Sequence, residues 1–476
     1  MKKTKIVATI SDCRCDTEFL RELYQEGMNV VRINTAHCSM EGATKILNNV
    51  RAVSDRIAIL VDTKGPEIRT SKVDGAGFAI EQGQKILVRG CAEGCLDSTP
   101  ECLYVNDKNF ATDVPVGSLV LIDDGDIEIE VIQKKGDALL CRVCNGGFIK
   151  SRKSVNVPGV KIELPSLTPA DIEYIQWSIN HDIDFIAHSF VRTKQDLLDI
   201  HKVLDENHSH IKIIAKIENQ QGVDNIDEIL DHCYGVMVAR GDLGVELKAE
   251  QIPIAQSTLV QKCIESKKPV IIATQMLHSM IENPRPTRAE VSDIANAIYQ
   301  RVDAVMLSGE TANGKYPVEA VRTMCKVALA IEKEVKPLES VNMVRINNEI
   351  TAQLARSAVR ASINLPIKAI IIDTLSGRTA RYLSAFRGDK PVYALCYRKH
   401  VMRELALSYG VMAQYGEPSI VHDKFTYQML IKLEDDNLLT NEDLVVVIGG
   451  SFGAWKGASF MEISKVIHLM NKALID

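Results

Sequence analysis

Eight short apolar runs punctuate this chain, and their spacing limits its fold more than any other feature. They are KIVATI (5–10), NVVRIN (29–34), IAILVD (57–62), FIAHSF (185–190), IKIIAKIE (211–218), GVMVAR (235–240), PVIIAT (269–274) and AVMLSG (304–309). Apart from one gap, successive runs start roughly 24 to 35 residues apart, the rhythm of strand–helix–strand units. Their near-continuous Val, Ile and Ala content suits parallel strands covered on both faces. Eight such strands are the number that closes a (β/α)8 barrel.

The gap between IAILVD and FIAHSF has a different character. Short alternating runs such as KILVRG, GSLVLIDDGDIEIEVI and ALLCRVCNGG are separated by Gly, Asp and Pro turns. This pattern predicts a small, mostly antiparallel β-domain inserted after the third barrel strand, where it would hang over the barrel mouth as a lid. Helix signals resume at LPSLTPADIEYIQWSI, with Thr168 as N-cap, Pro169 at the first helical position and Asp171 as the acidic third residue. A boundary falls near Pro337. Beyond it, AIIIDT, KPVYALCY and DLVVVIGG read as parallel strands of an open α/β domain. The expected fold class is therefore α/β: a barrel over 1–69 and 156–340, an inserted β-domain over 70–155, and a C-terminal open α/β domain over 341–476.

A chain of 476 residues is too long for one ordinary core. With 46% apolar and 25% charged residues it has the composition of a soluble globular protein. A net charge of -6 gives no support to a nucleic-acid role, and no run of 18 apolar residues offers a membrane span. Twelve cysteines in so long a chain are no disulfide framework, and the N-terminus runs straight into a strand, so a cytoplasmic protein with reduced thiols is expected. Cys13/Cys15 and Cys141/Cys144 lack the partner pairs a structural zinc would need.

Chemistry on such a barrel belongs at the C-terminal ends of the strands. Polar residues gather there: Arg32 and Asn34, Asp62, Thr63 and Lys64, Ser189, Lys216 and Glu218, Arg240, Gly241 and Asp242, Thr274, and Ser308 with Glu310. Lys216 and Glu218, two apart, leave the same strand face. Asp242 follows the next strand, and with Glu218 it would make a hard oxygen site for Mg2+ or Mn2+. Lys216 is either a Schiff-base nucleophile or a cation stabilising a phosphoryl group; adjacent carboxylates keep it protonated and favour the second role. Arg32 supplies a forked donor matched to phosphate, or else a structural partner for a carboxylate. Thr274, Ser308 and Glu310 read equally as a proton-handling path or as helix caps. Asn34, Asp62 and Thr63 offer amide, carboxylate and hydroxyl oxygens for a monovalent cation, or a structural hydrogen-bonded cluster.

Two motifs are set aside. Gly309 to Lys315 matches the start of a P-loop, but Tyr316 stands where that loop needs Ser or Thr. No GxGxxG opens a strand–helix unit, so nothing supports a dinucleotide cofactor.

The segments GMNVVRIN, DTKGPEIRT, NGGFIKSRKSVNVPGVKIELP, IIAKIEN, VMVARGDLGVE, NPRPTRAEVSDIANA and MLSGETANGKYPVEAV, in this order, resemble the pyruvate kinase family. The resemblance implies phosphoryl transfer from phosphoenolpyruvate to ADP, giving pyruvate and ATP. It places Glu218 and Asp242 on the divalent ion, and Lys216 and Arg32 on the phosphoryl group. Ala239, Arg240 and Gly241 would line the substrate carboxylate's turn, with Phe190 and Arg192 beside the metal. Thr274 would face the enolate carbon, backed by Ser308 and Glu310. Arg32, Asn34, His37, Asp124 and Lys153 would lie on the nucleotide side. Glu67 is the residue type associated in this family with dependence on K+, whose ligands would be Asn34, Asp62 and Thr63. Thr374, Ser376, Gly377, Arg378 and Thr379 resemble the family's effector-phosphate loop, which implies a phosphorylated effector, and the family is tetrameric.

Two departures stand out. Ser11-Asp12-Cys13-Arg14 replaces the usual Gly-Pro-Ala-Ser, altering the adenine and ribose contacts, and Ala36 removes a hydroxyl that would ligate K+, so K+ activation is expected to be retained but changed. The rival readings are a Mg2+-dependent aldolase or lyase acting through an enolate, and a silent barrel serving as an interaction protein. The first has less need of Arg32, Lys216 and a large lid together. The second would be expected to have lost Lys216, Glu218, Asp242 or Thr274, and all four are present.

Overall fold

Every residue of the strands Lys5–Thr9, Ala58–Asp62, Phe185–His188, Gly235–Ala239, Val270–Ala273 and Ala304–Leu307 is buried. Strands with no wet face need helices on one side and each other's side chains on the opposite one. In the computed structural model, which describes residues 1–91, 96–338, 341–417, 423–450 and 457–472, these six join Val30–Asn34 and Lys212–Ile217 in a closed barrel of eight parallel strands. Lys5 pairs with Ala304 to close the ring. Inward residues such as Val7, Leu60, Phe185, Ile214, Met237 and Ile271 pack as one cluster, while their neighbours in sequence pack outward under the helices.

The segment between the third and fourth barrel strands forms a six-stranded sheet and a two-stranded one, with a separate core that includes Ile86, Phe110, Ile129 and Leu139. It joins the barrel through a narrow neck. There Arg69 bridges Ser154, and the Thr70 N–H donates to the Lys153 carbonyl at 2.8 Å. Within this domain Gly77 has a φ of +116°, and a Cβ there would lie 2.2 Å from the Ile149 carbonyl, so only glycine fits. The chain re-enters the barrel shell through the helix Pro169–Asn180, which begins with a complete capping box between Thr168 and Asp171.

The C-terminal sheet has five strands in the spatial order Val411–Tyr415, Val392–Cys396, Ile367–Thr374, Leu444–Gly449 and Phe460–Lys465, the last antiparallel. The first and last of these escape a sequence reading because both are edge strands. An edge strand carries a wet face, and Phe460–Lys465 has no buried residue at all. The glycine-rich loop at 451–456 lies outside the described residues. Among the described residues ten cysteines are free, but Cys91 is disulfide-bonded, so the expectation of wholly reduced thiols does not hold. Among the described residues no helix is long and apolar enough to cross a membrane.

Buried charge fastens this sheet domain to the barrel. Arg387 pairs with Asp303 at 2.5 Å, both almost fully buried, and Asp303 also accepts from the N–H groups of Tyr409 and Val270. Arg403 reaches Asp184 in the same way. Removing one partner leaves the other charge buried and unmatched. Asp303→Ala should therefore cost about 3–5 kcal/mol of stability in urea unfolding, and a loss under about 1 kcal/mol would show that the pair contributes little cohesion.

Candidate active site

Strand ends on one side of the barrel converge on Lys216. Its ammonium lies 3.0 Å from Asp62 and 2.9 Å from Glu218, and it donates to the Ser189 hydroxyl at 2.7 Å. Lys216 is 9% exposed and Glu218 2% exposed. Burial opposes the charge on Lys216, but the Asp62 and Glu218 carboxylates outweigh it and hold the ammonium above its usual range. A lysine so held is no ready amine nucleophile.

Asp62 serves two cations, because its other oxygen accepts from Arg32 Nε at 2.6 Å. Burial alone would raise Asp62, yet Arg32 and Lys216 together bring it below its ordinary value. Arg32 also donates from its terminal nitrogen to Thr9 at 3.0 Å. Thr9 ends the first strand, and a sequence reading passes over it; the signal was a hydroxyl closing an otherwise apolar run.

Glu218 accepts from the Phe190 N–H at 2.6 Å with the oxygen that does not face Lys216. Asp242 shares a side-chain hydrogen bond with Glu218. Burial first raises Glu218; Lys216 opposes, and the neighbouring Asp242 charge adds to the rise. Burial likewise raises Asp242, and Glu67 and Asp124 across the cleft push the same way. Two desolvated carboxylates in contact, both pushed toward protonation, form a donor set short of positive charge, which fits a hard divalent cation. No group of three or more His, Cys, Asp or Glu side chains gathers among the described residues, so such an ion would complete its shell with water or substrate oxygens. Asp242, though not Glu218, lines a cavity of about 290 Å³ under the inserted domain, together with Glu67, Asp124, Phe190 and Arg192.

The Arg240-Gly241-Asp242 segment is the first turn of a short helix, Arg240–Glu246, where backbone N–H groups have no partner within the helix. Gly241 donates to the Thr274 hydroxyl at 2.8 Å, and Arg240 pairs with Asp293 and donates to the Thr274 carbonyl. Ala239 is the buried residue just before this helix. Thr274 and Gln275 both sit at positive φ, 69° and 55°. A β-branched residue held there is strained, and the bonds from Arg240 and Gly241 hold it in place. Asp293, deep in a helix, carries no local sequence signal for this role.

The remaining expected residues divide. Glu310 spends both carboxylate oxygens on backbone N–H groups, those of Leu277 and Ser308. That is the capping alternative, and it fixes two of the site's loops. Thr63 is engaged with the Ala187 carbonyl and the Ser189 N–H, so its hydroxyl is committed, while Asn34 accepts from the Ala36 N–H. In the inserted domain Lys153 pairs with Asp123 at 2.8 Å and Ser154 donates to Asp124 at 2.7 Å. His37 is exposed beyond the second strand. At the far end of the molecule, Thr374 accepts from the Gly377 N–H in a left-handed turn that opens the helix Arg378–Ala385, which holds Thr379 in its first turn.

Because a proton and a cation compete for Glu218, Mn2+ affinity should fall as pH drops from about 8 to about 6, by up to ~10-fold per pH unit once Glu218 takes up its proton. Flat affinity across that range in calorimetry would mean that this pair is not where the ion sits.

The same arrangement of parts belongs to a recognisable group of proteins. Residues 1–321 match the family description "Pyruvate kinase, barrel domain" and residues 352–464 match "Pyruvate kinase, alpha/beta domain". The chain is 44% identical over 470 residues to the pyruvate kinase of Borreliella burgdorferi, covering 98% of each protein. It is 42% identical to that of Bacillus licheniformis, over 99% of this chain and 82% of the relative. A crystal structure of a pyruvate kinase from Cryptosporidium parvum superposes with a TM-score of 0.92 at 33% identity, covering 98% of this chain and 96% of that one. With both domains matched and relatives aligned end to end, this chain belongs to the pyruvate kinase family.

Proposed function

We propose that this chain transfers the phosphoryl group of phosphoenolpyruvate to ADP, giving pyruvate and ATP. The observation that carries the reading is the buried contact of one fixed ammonium, Lys216, with a carboxylate pair short of positive charge, Glu218 and Asp242. Phosphoryl transfer asks for charge stabilisation and positioning rather than a covalent nucleophile.

Glu218 and Asp242 would hold Mg2+ or Mn2+, which when bound supplies Lewis acidity to the enolate and phosphoryl oxygens. Lys216, kept charged by Asp62, would exchange part of its carboxylate contact for the phosphoryl oxygens. Arg32 would present its remaining terminal nitrogen to the same group while Asp62 and Thr9 fix its plane. The Thr274 hydroxyl, oriented by Gly241, would stand where the enolate carbon gains a proton, with Ser308 beside a backbone that Glu310 immobilises. Ala239, Arg240 and Gly241 would frame the substrate carboxylate beside Phe190. Asn34, His37, Asp124 and Lys153 would meet the nucleotide as the inserted domain closes.

For K+ the fit is partial. Asn34 and Asp62 have side-chain oxygens, though these already meet the Ala36 N–H and the Arg32 and Lys216 cations, Thr63 has its hydroxyl committed, and Ala36 has none. Activation is thus weakened rather than abolished. The same reading carries a homotetramer, a cytoplasmic location, the three-domain division given above and a phosphorylated effector on the loop Thr374–Thr379.

Purified protein given phosphoenolpyruvate, ADP and Mg2+ should form pyruvate and ATP in equal amounts; pyruvate without ATP would favour the lyase instead. Lys216→Met should lower kcat by about 10²–10³-fold with fold and divalent affinity kept, and normal turnover would overturn its role. Exchanging K+ for tetramethylammonium should slow the reaction several-fold, whereas equal rates would remove the monovalent site.

A further inference from the structure

The chain leaves the inserted domain through a linker, residues 155–164, that forms one wall of the cavity of about 290 Å³ beside Asp242. Past the two-residue strand Val155–Asn156 it has no regular structure. Its own backbone bonds are two short turns, Val160 N–H to the Val157 carbonyl and Leu164 N–H to the Ile162 carbonyl, both at 3.1 Å. Bonds so local do not fix the course of a linker. Two barrel side chains grip it instead, one at each end. Near the inserted domain Glu246 shares a side-chain hydrogen bond with Asn156. Near the barrel Arg192 donates from one terminal nitrogen to the Leu164 carbonyl at 2.9 Å and from the other to the Ile162 carbonyl at 3.4 Å.

Each grip is itself anchored. Asp196 accepts from the Arg192 backbone N–H at 2.8 Å and from its guanidinium at 2.7 Å, so the charge of Arg192 is matched within its own helix start and not by Glu218 or Asp242. Burial pushes the Glu246 carboxyl up, and the Asn156 bond draws it back. Both residues stand on segments that carry the divalent-site carboxylates or their partners. Glu246 is one turn beyond Asp242 on the helix Arg240–Glu246. Arg192 follows Phe190, whose N–H meets Glu218, and the Val191 N–H between them donates to the Lys216 carbonyl at 3.3 Å. At the far end of the linker, Asn156 pairs with Leu121, in the strand that runs into Asp123 and Asp124, and it follows Lys153 by three residues.

We propose that Arg192 and Glu246 are positioning residues: by gripping the two ends of the linker they set how far Asp124 and Lys153 stand from the barrel mouth, and neither touches metal or substrate. The inference rests on the reading that places Asp124 and Lys153 on the nucleotide side. It gives Arg192 a different task from a place beside the metal. Loosening either grip lets the inserted domain wander while Lys216, Glu218 and Asp242 keep their places on the barrel. Nucleotide binding therefore suffers, and divalent-ion binding does not.

Hydrogen exchange on the full chain, without metal or substrate, reads the grip directly. Arg192→Met and Glu246→Ala should each speed amide exchange across residues 155–164 by at least ~5-fold, the worth of a lost hydrogen bond. Calorimetry should then show ADP binding weakened by at least ~5-fold in both variants, with Mn2+ affinity within about twofold of the parent. Glu246→Gln keeps an oxygen for the Asn156 amide and should match the parent in all three measurements. Urea unfolding checks each fold, and Glu246→Ala carries the test if Arg192→Met is unstable. The proposal is overturned by unchanged linker exchange, by unchanged ADP affinity, or by Glu246→Gln failing as Glu246→Ala does. It is overturned as well by Mn2+ affinity falling with ADP affinity in Arg192→Met, which would return Arg192 to the metal. A parent chain that binds ADP but forms no ATP would sink the catalytic reading alone, since none of these measurements needs turnover.

Discussion

Burying a charged lysine at the mouth of an apolar barrel is costly unless its partners are fixed. Asp62 and Glu218 meet that requirement from neighbouring strand ends, and each is itself fixed by a second partner, Arg32 for one and the Phe190 backbone for the other. The rest of the site follows from this contact. Because Lys216 must stay charged, it acts through its field, and because its field does not fully satisfy Glu218 and Asp242, room for a further cation remains beside it. The parallel barrel makes such a network feasible, since it delivers several strand ends to one small area while keeping their interiors dry.

Much of this was legible in the sequence because periodic burial writes itself into composition. All eight barrel strands, the inserted domain and the lysine–carboxylate spacing of AKIE could be read from runs and intervals. What was not legible depends on contacts between distant segments. Nothing around Asp293 announces that it steers Arg240 toward Thr274, and the left-handed backbone of Thr274 has no signature in a residue type that normally avoids it. The edge strands Val411–Tyr415 and Phe460–Lys465 were missed because a strand with a solvated face loses the continuous apolar run that marked the others. Glu310 shows the same limit from the other side. Its position beside Ser308 suggested proton handling, and only the backbone partners of both oxygens show what it holds.

Function and cohesion use the same chemistry at opposite ends of the barrel. At the mouth, paired charges are left under-satisfied in one direction, toward positive. On the floor, Asp303 and Asp184 are each closed by an arginine of the C-terminal domain. Completely matched ions hold domains together, whereas incompletely matched ones are where a ligand has something to add.

The narrow neck at Arg69 and Ser154 has a mechanical meaning. A domain with an independent core keeps its internal packing when it turns, so the work of swinging it falls on the few bonds at its stem, among them Thr70 to Lys153 and Arg69 to the Arg152 carbonyl. Asp123, Asp124 and Lys153 sit within or just above that stem. A small rotation there therefore changes their distance from the barrel mouth while leaving their contacts with one another intact, as a wrist moves a hand without altering its grip.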